Sequence, residues 1–342
     1  MRRLTETQLG GIRKALVIQL GPFGDGLLTT SYFETFKKRL PDATLYYLVK
    51  EPYDEIVRGH PFIDRLMVVR QRQGLGYALE RLRVMHMIRK EGFDLVIDQQ
   101  NKPSSQQLTL LSGAKYRLGY ADARLSWAYN LKAGRGPLRY SAGRKYDILE
   151  PLGIEEEPYT IYFVIDEAAH RSVEDWLADH GLDARKLVLI SPGSPVGKKK
   201  WKAENYAGLA DLIQTTLAYR VALICGPGEQ DDVKAVHAAM RTEPTLVPPM
   251  NIRWVGALLK RCALLVCNDG GLNHLSVATE TPTLAIFGNS DPIVWSPASA
   301  FGHHYHLYKP DHDSMRDKSF GISREEALGK VREILEKDTR QV

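Results

Sequence analysis

Short apolar runs recur along the chain and alternate with segments whose apolar residues repeat at helical spacing. Residues 15–20 are mostly apolar, whereas residues 27–40 place apolar side chains at 28, 32, 33, 36 and 40. The first pattern predicts a buried strand and the second an amphipathic helix. Continuous apolar strands joined by helices are typical of parallel sheets with right-handed crossovers. The chain therefore predicts an α/β fold.

The same alternation continues to the carboxyl end, with an interruption in the middle. Further strands are predicted at 44–49, 65–69, 94–98, 160–165, 187–190, 221–225, 263–266 and 283–287. Further helices are predicted at 53–58, 75–90, 103–112, 167–180, 204–217, 252–261 and 325–335. The length of 342 residues fits two domains of ordinary size. We predict two Rossmann-like domains with parallel sheets facing a central cleft, at residues 12–165 and 166–322, followed by a terminal segment at 323–342.

Composition excludes several classes of protein. The chain is 44% hydrophobic and 25% charged, with a net charge of +5, which is ordinary for a soluble globular protein and too mild to indicate nucleic-acid binding. No apolar run has the length of a membrane span, and residues 1–14 lack the apolar core of a signal peptide. The three cysteines show no zinc-binding spacing and suit buried thiols in a reducing compartment. We therefore expect a cytoplasmic location, with peripheral attachment to the inner face of the inner membrane as an open alternative.

The stretch Cys267–His274 carries the strongest local indication of chemistry. An apolar run leads into Asp269-Gly270-Gly271, and a helix is predicted to start near Leu272. The first amides of such a helix, together with its dipole, suit a phosphate group. Asp269 and His274 flank the turn and are candidates for contacts with hydroxyls or phosphate oxygens. The alternative is an ordinary strand-to-helix turn, because such turns are common in α/β folds.

A second glycine-rich turn, residues 21–26, follows the first predicted strand. It only loosely resembles a dinucleotide-binding fingerprint, and we discount a nicotinamide cofactor. Asp25 lies at the carboxyl end of this strand, where open α/β sheets place their ligands. Its alternative role is that of a helix N-cap.

Residues 70–90 are rich in arginine and lysine. The purely structural interpretation is a helix face exposed to solvent. The functional interpretation is contact with a phosphate-rich acceptor or with an anionic membrane surface. Residues 120–145 have few regular signals and several basic or aromatic residues, so they are predicted to form a long functional loop.

Six segments, taken in order, resemble glycosyltransferase family 9, the lipopolysaccharide heptosyltransferases. They are Leu20-Gly21-Pro22-Phe23-Gly24-Asp25, Leu40-Pro41-Asp42-Ala43, Ser191-Pro192-Gly193-Ser194, Lys199-Lys200-Trp201, Asp269-Gly270-Gly271-Leu272-Asn273-His274 and Phe287-Gly288-Asn289-Ser290-Asp291-Pro292. The resemblance spans about residues 15–297. It implies a GT-B architecture, in which an amino-terminal acceptor domain precedes a nucleotide-sugar domain. It also implies that the terminal helix packs back on the amino-terminal domain.

The resemblance implies inverting transfer of a heptose from an ADP-activated donor to a sugar hydroxyl of the lipopolysaccharide core. Asp25 matches the proposed general base and is assigned as catalytic, whereas the neighbouring Gly24 and Gly26 are assigned to acceptor binding. Lys199 matches the lysine beside the donor diphosphate and is assigned as catalytic, because it would stabilise the leaving group. The other donor-binding assignments are Ser194, Glu229 at the ribose, Met250 at the purine, Asp269, Gly270, Gly271 and His274. No metal or cofactor is expected beyond the donor substrate.

The sequence departs from the family pattern at Gly270, where the family has threonine or serine, and at Ser290, where it has threonine. The first departure removes a hydroxyl that could bind phosphate or sugar, so the identity of the donor sugar is left undetermined. Two other hypotheses remain at this point: a non-catalytic nucleotide-sugar binder, and a nucleotide-sugar enzyme with another donor or another reaction, such as an epimerase or a dehydrogenase.

Overall fold

A computed structural model describes residues 2–338 of the protein. The chain divides into two compact units, Met1–Val164 and Ile165–Val342. Each unit holds one six-stranded sheet whose paired strands run parallel. The predicted α/β fold with two parallel sheets is confirmed.

The first unit alternates strands and helices from its start. Its elements are α1 (Glu6–Gly10), β1 (Lys14–Ile18), α2 (Phe23–Leu28), α3 (Phe33–Arg39), β2 (Thr44–Lys50), β3 (Arg65–Val69), α4 (Leu75–Glu91), β4 (Leu95–Asp98), α5 (Pro103–Leu111), β5 (Tyr116–Tyr120), β6 (Leu131–Ala133) and α6 (Ser141–Arg144). Short 3₁₀ segments lie at Thr29–Tyr32, Tyr53–Ile56, Ser126–Ala128 and Lys145–Leu152. The predicted loop at 120–145 therefore contains a strand and a short helix.

The second unit repeats this design. Its elements are α7 (Glu167–Asp179), β7 (Leu187–Ser191), α8 (Ala203–Thr216), β8 (Arg220–Leu223), α9 (Gln230–Ala239), β9 (Thr245–Leu246), α10 (Ile252–Leu259), β10 (Leu264–Asn268), α11 (Gly271–Ala278), β11 (Thr283–Ile286), α12 (Pro292–Trp295), β12 (His304–Leu307) and α13 (Arg324–Asp338). Short 3₁₀ segments lie at Ala184–Lys186, Gly197–Lys199 and Pro297–Ser299.

Both sheets have the strand order of a doubly wound dinucleotide-binding fold. The first runs β3-β2-β1-β4-β5-β6 and the second β12-β11-β10-β7-β8-β9. The direction of winding reverses between β1 and β4 and between β7 and β10, where Leu16 pairs with Val96 and Ile190 with Val266. Ligands of such sheets bind beyond the carboxyl ends of these central strands. The topology thus singles out the loops that follow β1, β4, β7 and β10.

The central strands are buried on both faces, which explains their unbroken apolar runs. In the first unit, Leu16, Ile18 and Val96 pack with Val84 and Ile88 of α4. In the second unit, Val188, Ile190 and Val266 belong to one large core. These packed centres hold the loops at the strand ends in place.

Two predictions about the ends of the domains are wrong. Residues 160–165 form no strand. Helix α13 packs against α8 in the second unit and contributes Ala327, Val331 and Ile334 to that unit's core. An amphipathic pattern shows that a face will be buried, but not which partner buries it. The last residues of the predicted segment 323–342, from 339 onward, lie outside the described residues.

Candidate active site

The turn after β1 brings Asp25 next to a lysine that is distant in sequence. The Asp25 carboxylate lies 2.8 Å from Nζ of Lys145, whose side chain is largely buried. Lys145 starts the 3₁₀ segment that follows α6. An ion pair of this kind holds the carboxylate in one place at the carboxyl edge of the sheet.

Asp25 is not the N-cap of its helix. Helix α2 begins at Phe23, its N-cap residue is Pro22, and no side chain caps it. The interpretation of Asp25 as a cap is therefore wrong, because the helix starts four residues earlier than the periodicity predicted. Asp25 lies in the first helical turn, where a negative charge is favoured by the helix dipole.

Two glutamines hold the turn that leads to Asp25. Oε1 of Gln19 accepts a hydrogen bond from the Gly21 amide at 3.0 Å, and Oε1 of Gln100 accepts one from the Leu20 amide at 3.0 Å. A Cβ on Gly21 would lie 2.8 Å from the Gln19 oxygen, so a larger residue would push that oxygen out of its present position. The strand ends of β1 and β4 are thus joined by side chains that sequence reasoning did not select.

The two glycines assigned to acceptor binding differ in exposure. Gly24 is half-buried, whereas Gly26 is buried and its carbonyl accepts a hydrogen bond from the Tyr47 hydroxyl at 2.8 Å. Gly26 therefore packs α2 against β2.

A buried carboxylate supports the loop that follows β4. Asp98 is fully buried, and its two oxygens accept hydrogen bonds from the Tyr129 hydroxyl at 2.8 Å and from the Asn101 amide at 3.0 Å. Burial raises the pKa of Asp98 to about 6. Tyr129 belongs to the segment at 120–145 singled out in the sequence, and the structure gives it this supporting role.

In the second unit, Lys199 and Asp269 form the central ion pair. Nζ of Lys199 lies 2.5 Å from Oδ2 of Asp269, whose side chain is only 3% exposed. The ammonium also lies 5.6 Å from the centre of the Trp295 ring, within the range of a cation–π interaction. His274 packs next to the same ring, with 6.1 Å between ring centres. The structure thus brings together Lys199, Asp269 and His274, and adds Trp295, which the sequence had not indicated.

The neighbouring Lys200 forms an ion pair with a different carboxylate. Its Nζ lies 2.7 Å from a carboxylate oxygen of Asp232 in α9. Of these two lysines, Lys199 is the one that reaches the Asp269 turn.

Asn268 ties three loops of this unit together. Its Oδ1 accepts hydrogen bonds from the Trp201 amide and the Tyr206 hydroxyl, both at 3.0 Å. Its Nδ2 donates to the Pro192 carbonyl at 2.7 Å. The loops after β7 and β10 and the segment that carries Lys199 are therefore fixed relative to one another.

The helix that follows the Asp-Gly-Gly turn begins at Gly271, one residue before its predicted start. Its N-cap residue is Gly270, which has an extended backbone and no side chain to cap the helix. A Cβ at Gly270 would meet only the Asn268 carbonyl oxygen, at 3.8 Å, so a serine or threonine fits there. The first-turn amides of α11 are thus left without a side-chain cap, which suits an anionic group.

Glu229 lies over the loop that follows β7. Its Oε2 accepts a hydrogen bond from the Gly226 amide at 3.0 Å, and burial raises the pKa of this carboxyl group. A Cβ on Gly193 would clash with the same oxygen, so Gly193 makes room for Glu229. Ser194 is buried, and its Oγ accepts a hydrogen bond from the Val196 amide at 3.2 Å. Met250 is 39% exposed in the loop before α10.

The loops near the point where the winding of the second sheet reverses carry three kinds of polar group. They are the ammonium of Lys199, the uncapped amides of α11 and the half-buried carboxylate of Glu229. Cations and amides suit a diphosphate, and a carboxylate suits hydroxyls. Among residues 2–338, no group of three or more His, Cys, Asp or Glu could hold a metal ion.

Two Rossmann-like units, each with polar loops where the direction of winding reverses, are the building blocks of the GT-B fold, and this is the fold class to which the protein belongs. The heptosyltransferase WaaC of E. coli, solved with ADP-2-deoxy-2-fluoro heptose, has the same fold, with a TM-score of 0.71 at 19% identity over 94% of this chain and 99% of that one. The predicted GT-B class is confirmed.

Residues 81–318 match the family model described as glycosyltransferase family 9 (heptosyltransferase), and the chain belongs to this family. It is 26% identical over 291 residues to lipopolysaccharide heptosyltransferase 3 of Escherichia coli strain K12, with 80% of this chain and 82% of that protein covered. A family 9 glycosyl transferase structure from Veillonella parvula DSM 2008 superposes with a TM-score of 0.82 at 25% identity, covering 96% of this chain and 99% of that one. The resemblance drawn from the six segments is confirmed, and the protein is a glycosyltransferase.

Proposed function

We propose that this enzyme transfers a heptose from an ADP-activated donor to a sugar hydroxyl of the lipopolysaccharide core, with inversion at the anomeric carbon. The observation that carries the proposal is the Lys199–Asp269 pair beside the uncapped start of α11. It is supported by relatives named lipopolysaccharide heptosyltransferases and by the WaaC structure, which was solved with an analogue of ADP-heptose.

In this proposal the second unit binds the donor. The Lys199 ammonium has three N–H groups, of which one is directed at Asp269. The others donate to diphosphate oxygens, together with the first amides of α11. Charge on the leaving diphosphate grows as the glycosidic bond breaks, so these donors stabilise the transition state more than the ground state. Lys199 and the helix amides thereby supply the charge stabilisation without a metal ion.

Glu229 accepts hydrogen bonds from the ribose hydroxyls, and Ser194, Met250, Gly271 and His274 line the remainder of the donor site. Glu229 suits this task because it is half-buried and already anchored by the Gly226 amide. Hydroxyls that pair with a partly desolvated carboxylate are bound more firmly than in water.

Asp25 is the general base for the acceptor. Its carboxylate takes the proton of the acceptor hydroxyl while that oxygen forms a bond to the anomeric carbon. The bond between this carbon and the diphosphate breaks, and its electron pair leaves with ADP. Attack opposite to the leaving group gives inversion. Lys145, 2.8 Å away, holds the carboxylate in position.

The proposal is tested by incubating the protein with ADP-heptose and a lipopolysaccharide-core acceptor and measuring ADP release. We expect release only when both substrates are present, and a mass increase of one heptose in the acceptor. UDP- and GDP-sugars in parallel reactions identify the nucleotide preference. Binding of ADP-heptose with no transfer would favour a non-catalytic binder, and isomerised donor without acceptor would favour an epimerase.

A further inference from the structure

Helix α4 carries apolar side chains on two opposite sides. Val84 and Ile88 are buried in the core of the first unit. On the other side, Leu75, Leu79 and Leu82 are 86%, 67% and 57% exposed. Core packing accounts for the first set and leaves the second set without a structural reason.

The exposed leucines form one continuous stripe. Their spacings of four and three residues place them within about 60° of one another around the helix axis. His86, Arg89 and Lys90 continue the same stripe toward the carboxyl end and are exposed. We call these six residues the outer stripe of α4. Its amino-terminal half is apolar and its carboxyl-terminal half is basic.

The surroundings of the outer stripe add further apolar and basic groups. Arg89 donates a hydrogen bond to the carbonyl of Leu111, whose side chain is 42% exposed, so this leucine lies beside the basic half. Arg72 precedes the helix and is exposed.

The acidic residues of α4 lie away from the outer stripe. Glu80 is buried and paired with Arg83. Glu91 pairs with Lys14 and accepts a hydrogen bond from the Tyr46 hydroxyl. The surface presented outward is therefore apolar and cationic, with no carboxylate in the stripe itself.

We propose that the outer stripe of α4 docks on the surface of an anionic phospholipid bilayer, with the three leucines in the headgroup–acyl boundary and the cations at the lipid phosphates. A helix with exposed leucines and basic residues suits binding in the plane of the interface. Within residues 2–338, every helix is too short or too polar to span a bilayer. A free phosphate would pair with the arginines but would leave the leucines in water.

The inference deepens the proposed function and rests on it for its purpose. An acceptor sugar attached to a lipid lies at the bilayer surface. An enzyme bound to that surface reaches the acceptor by diffusion in the plane of the membrane. Vesicle binding itself is measured without either substrate, so its failure is distinct from a failure of heptose transfer.

The experiment measures sedimentation of the full-length protein with vesicles of phosphatidylcholine alone or with added phosphatidylglycerol. We expect binding to the anionic vesicles that weakens with salt. Leu75→Gln, Leu79→Gln and Leu82→Gln, combined in one variant, should lower the partition coefficient at least tenfold, because glutamine keeps the helix but removes the apolar contact. The matched control replaces three exposed apolar residues elsewhere by glutamine: Leu138, Leu246 and Met315, which are 59%, 45% and 55% exposed. It should bind like the wild type.

The basic half is tested separately. Arg89→Gln and Lys90→Gln should each weaken binding to anionic vesicles roughly fivefold and leave binding to neutral vesicles unchanged. Melting temperatures and transfer to a delipidated core oligosaccharide, both unchanged, show that the variants are folded and active. Equal vesicle binding by the triple leucine variant and the wild type would overturn the proposal. So would self-association of the wild type that the triple variant abolishes, because the stripe would then bind a second copy of the chain.

Discussion

Replacing Lys199 by methionine removes the ammonium that lies 2.5 Å from Asp269 and leaves a carboxylate that is 3% exposed without this partner. Breaking a buried ion pair on one side costs about 3–5 kcal/mol. The Lys199 side chain is 26% exposed, so water reaches part of the pair and we expect a smaller loss of about 2–3 kcal/mol. For a unit of this size, each kcal/mol lowers the melting temperature by about 2–4 °C.

The same substitution removes a charge-assisted hydrogen bond to the leaving diphosphate in our proposal. Such a bond contributes about 1.5–3 kcal/mol, so kcat should fall about 10- to 150-fold. Stability and catalysis are thus both affected, and the single variant alone does not separate them.

The double variant Lys199→Met, Asp269→Asn separates the two effects. It replaces both charges by neutral groups of similar size, so most of the lost melting temperature should return. Turnover should remain low, because the diphosphate still lacks its ammonium. The assay is ADP release at saturating acceptor over a range of ADP-heptose concentrations, with the melting temperature recorded for each variant. If the double variant transfers heptose at nearly the wild-type rate, Lys199 serves only as a counter-charge for Asp269.

Three further predictions concern the supporting residues. Lys145→Met should lower kcat by about tenfold or more with little change in the donor dissociation constant, because Asp25 loses a charge-assisted contact that positions it; equal kcat would remove Lys145 from the site. Gly270→Ser should raise the melting temperature slightly, since a serine N-cap is better than glycine by a few tenths of a kcal/mol, and a clear drop would contradict the open space at this position. Burial raises the pKa of Glu229, so the charged carboxylate is disfavoured in the native protein. Stability therefore falls as the pH rises above about 4.3, the pKa of a glutamate in the unfolded chain. The melting temperature of Glu229→Gln relative to the wild type should accordingly increase as the pH is raised above about 4.

The strands that the sequence predicted well are those buried on both faces, such as β1, β7 and β10. The strands that the sequence missed are β5, β6, β9 and β12, and two of these are very short. β6 and β9 have three and two residues and owe their conformation to pairing with β5 and β8. Such short edge strands are fixed by their neighbours rather than by local propensity.

In the candidate site, too, local patterns indicated some residues, whereas others are brought into place only by the fold. Glycine turns after buried strands have a recognisable pattern, and they indicated Asp25 and Asp269. The family resemblance indicated Lys199. Lys145 lies 120 residues from Asp25 in the chain and carries no local signal. Trp295 likewise reaches Lys199 only through the fold. Pairings of this kind depend on strand order, which a single sequence does not specify.

The central claim is that Asp25 accepts the proton of the acceptor hydroxyl, and Asp25→Asn tests it most directly. Asparagine keeps an oxygen that accepts a hydrogen bond from Lys145 but takes up no proton at neutral pH. Heptose transfer from ADP-heptose to the core acceptor should fall by roughly 10²–10⁴-fold, with the melting temperature and the ADP-heptose affinity nearly unchanged. Transfer by the asparagine variant at close to the wild-type rate would contradict the claim and assign the activation of the hydroxyl to another group.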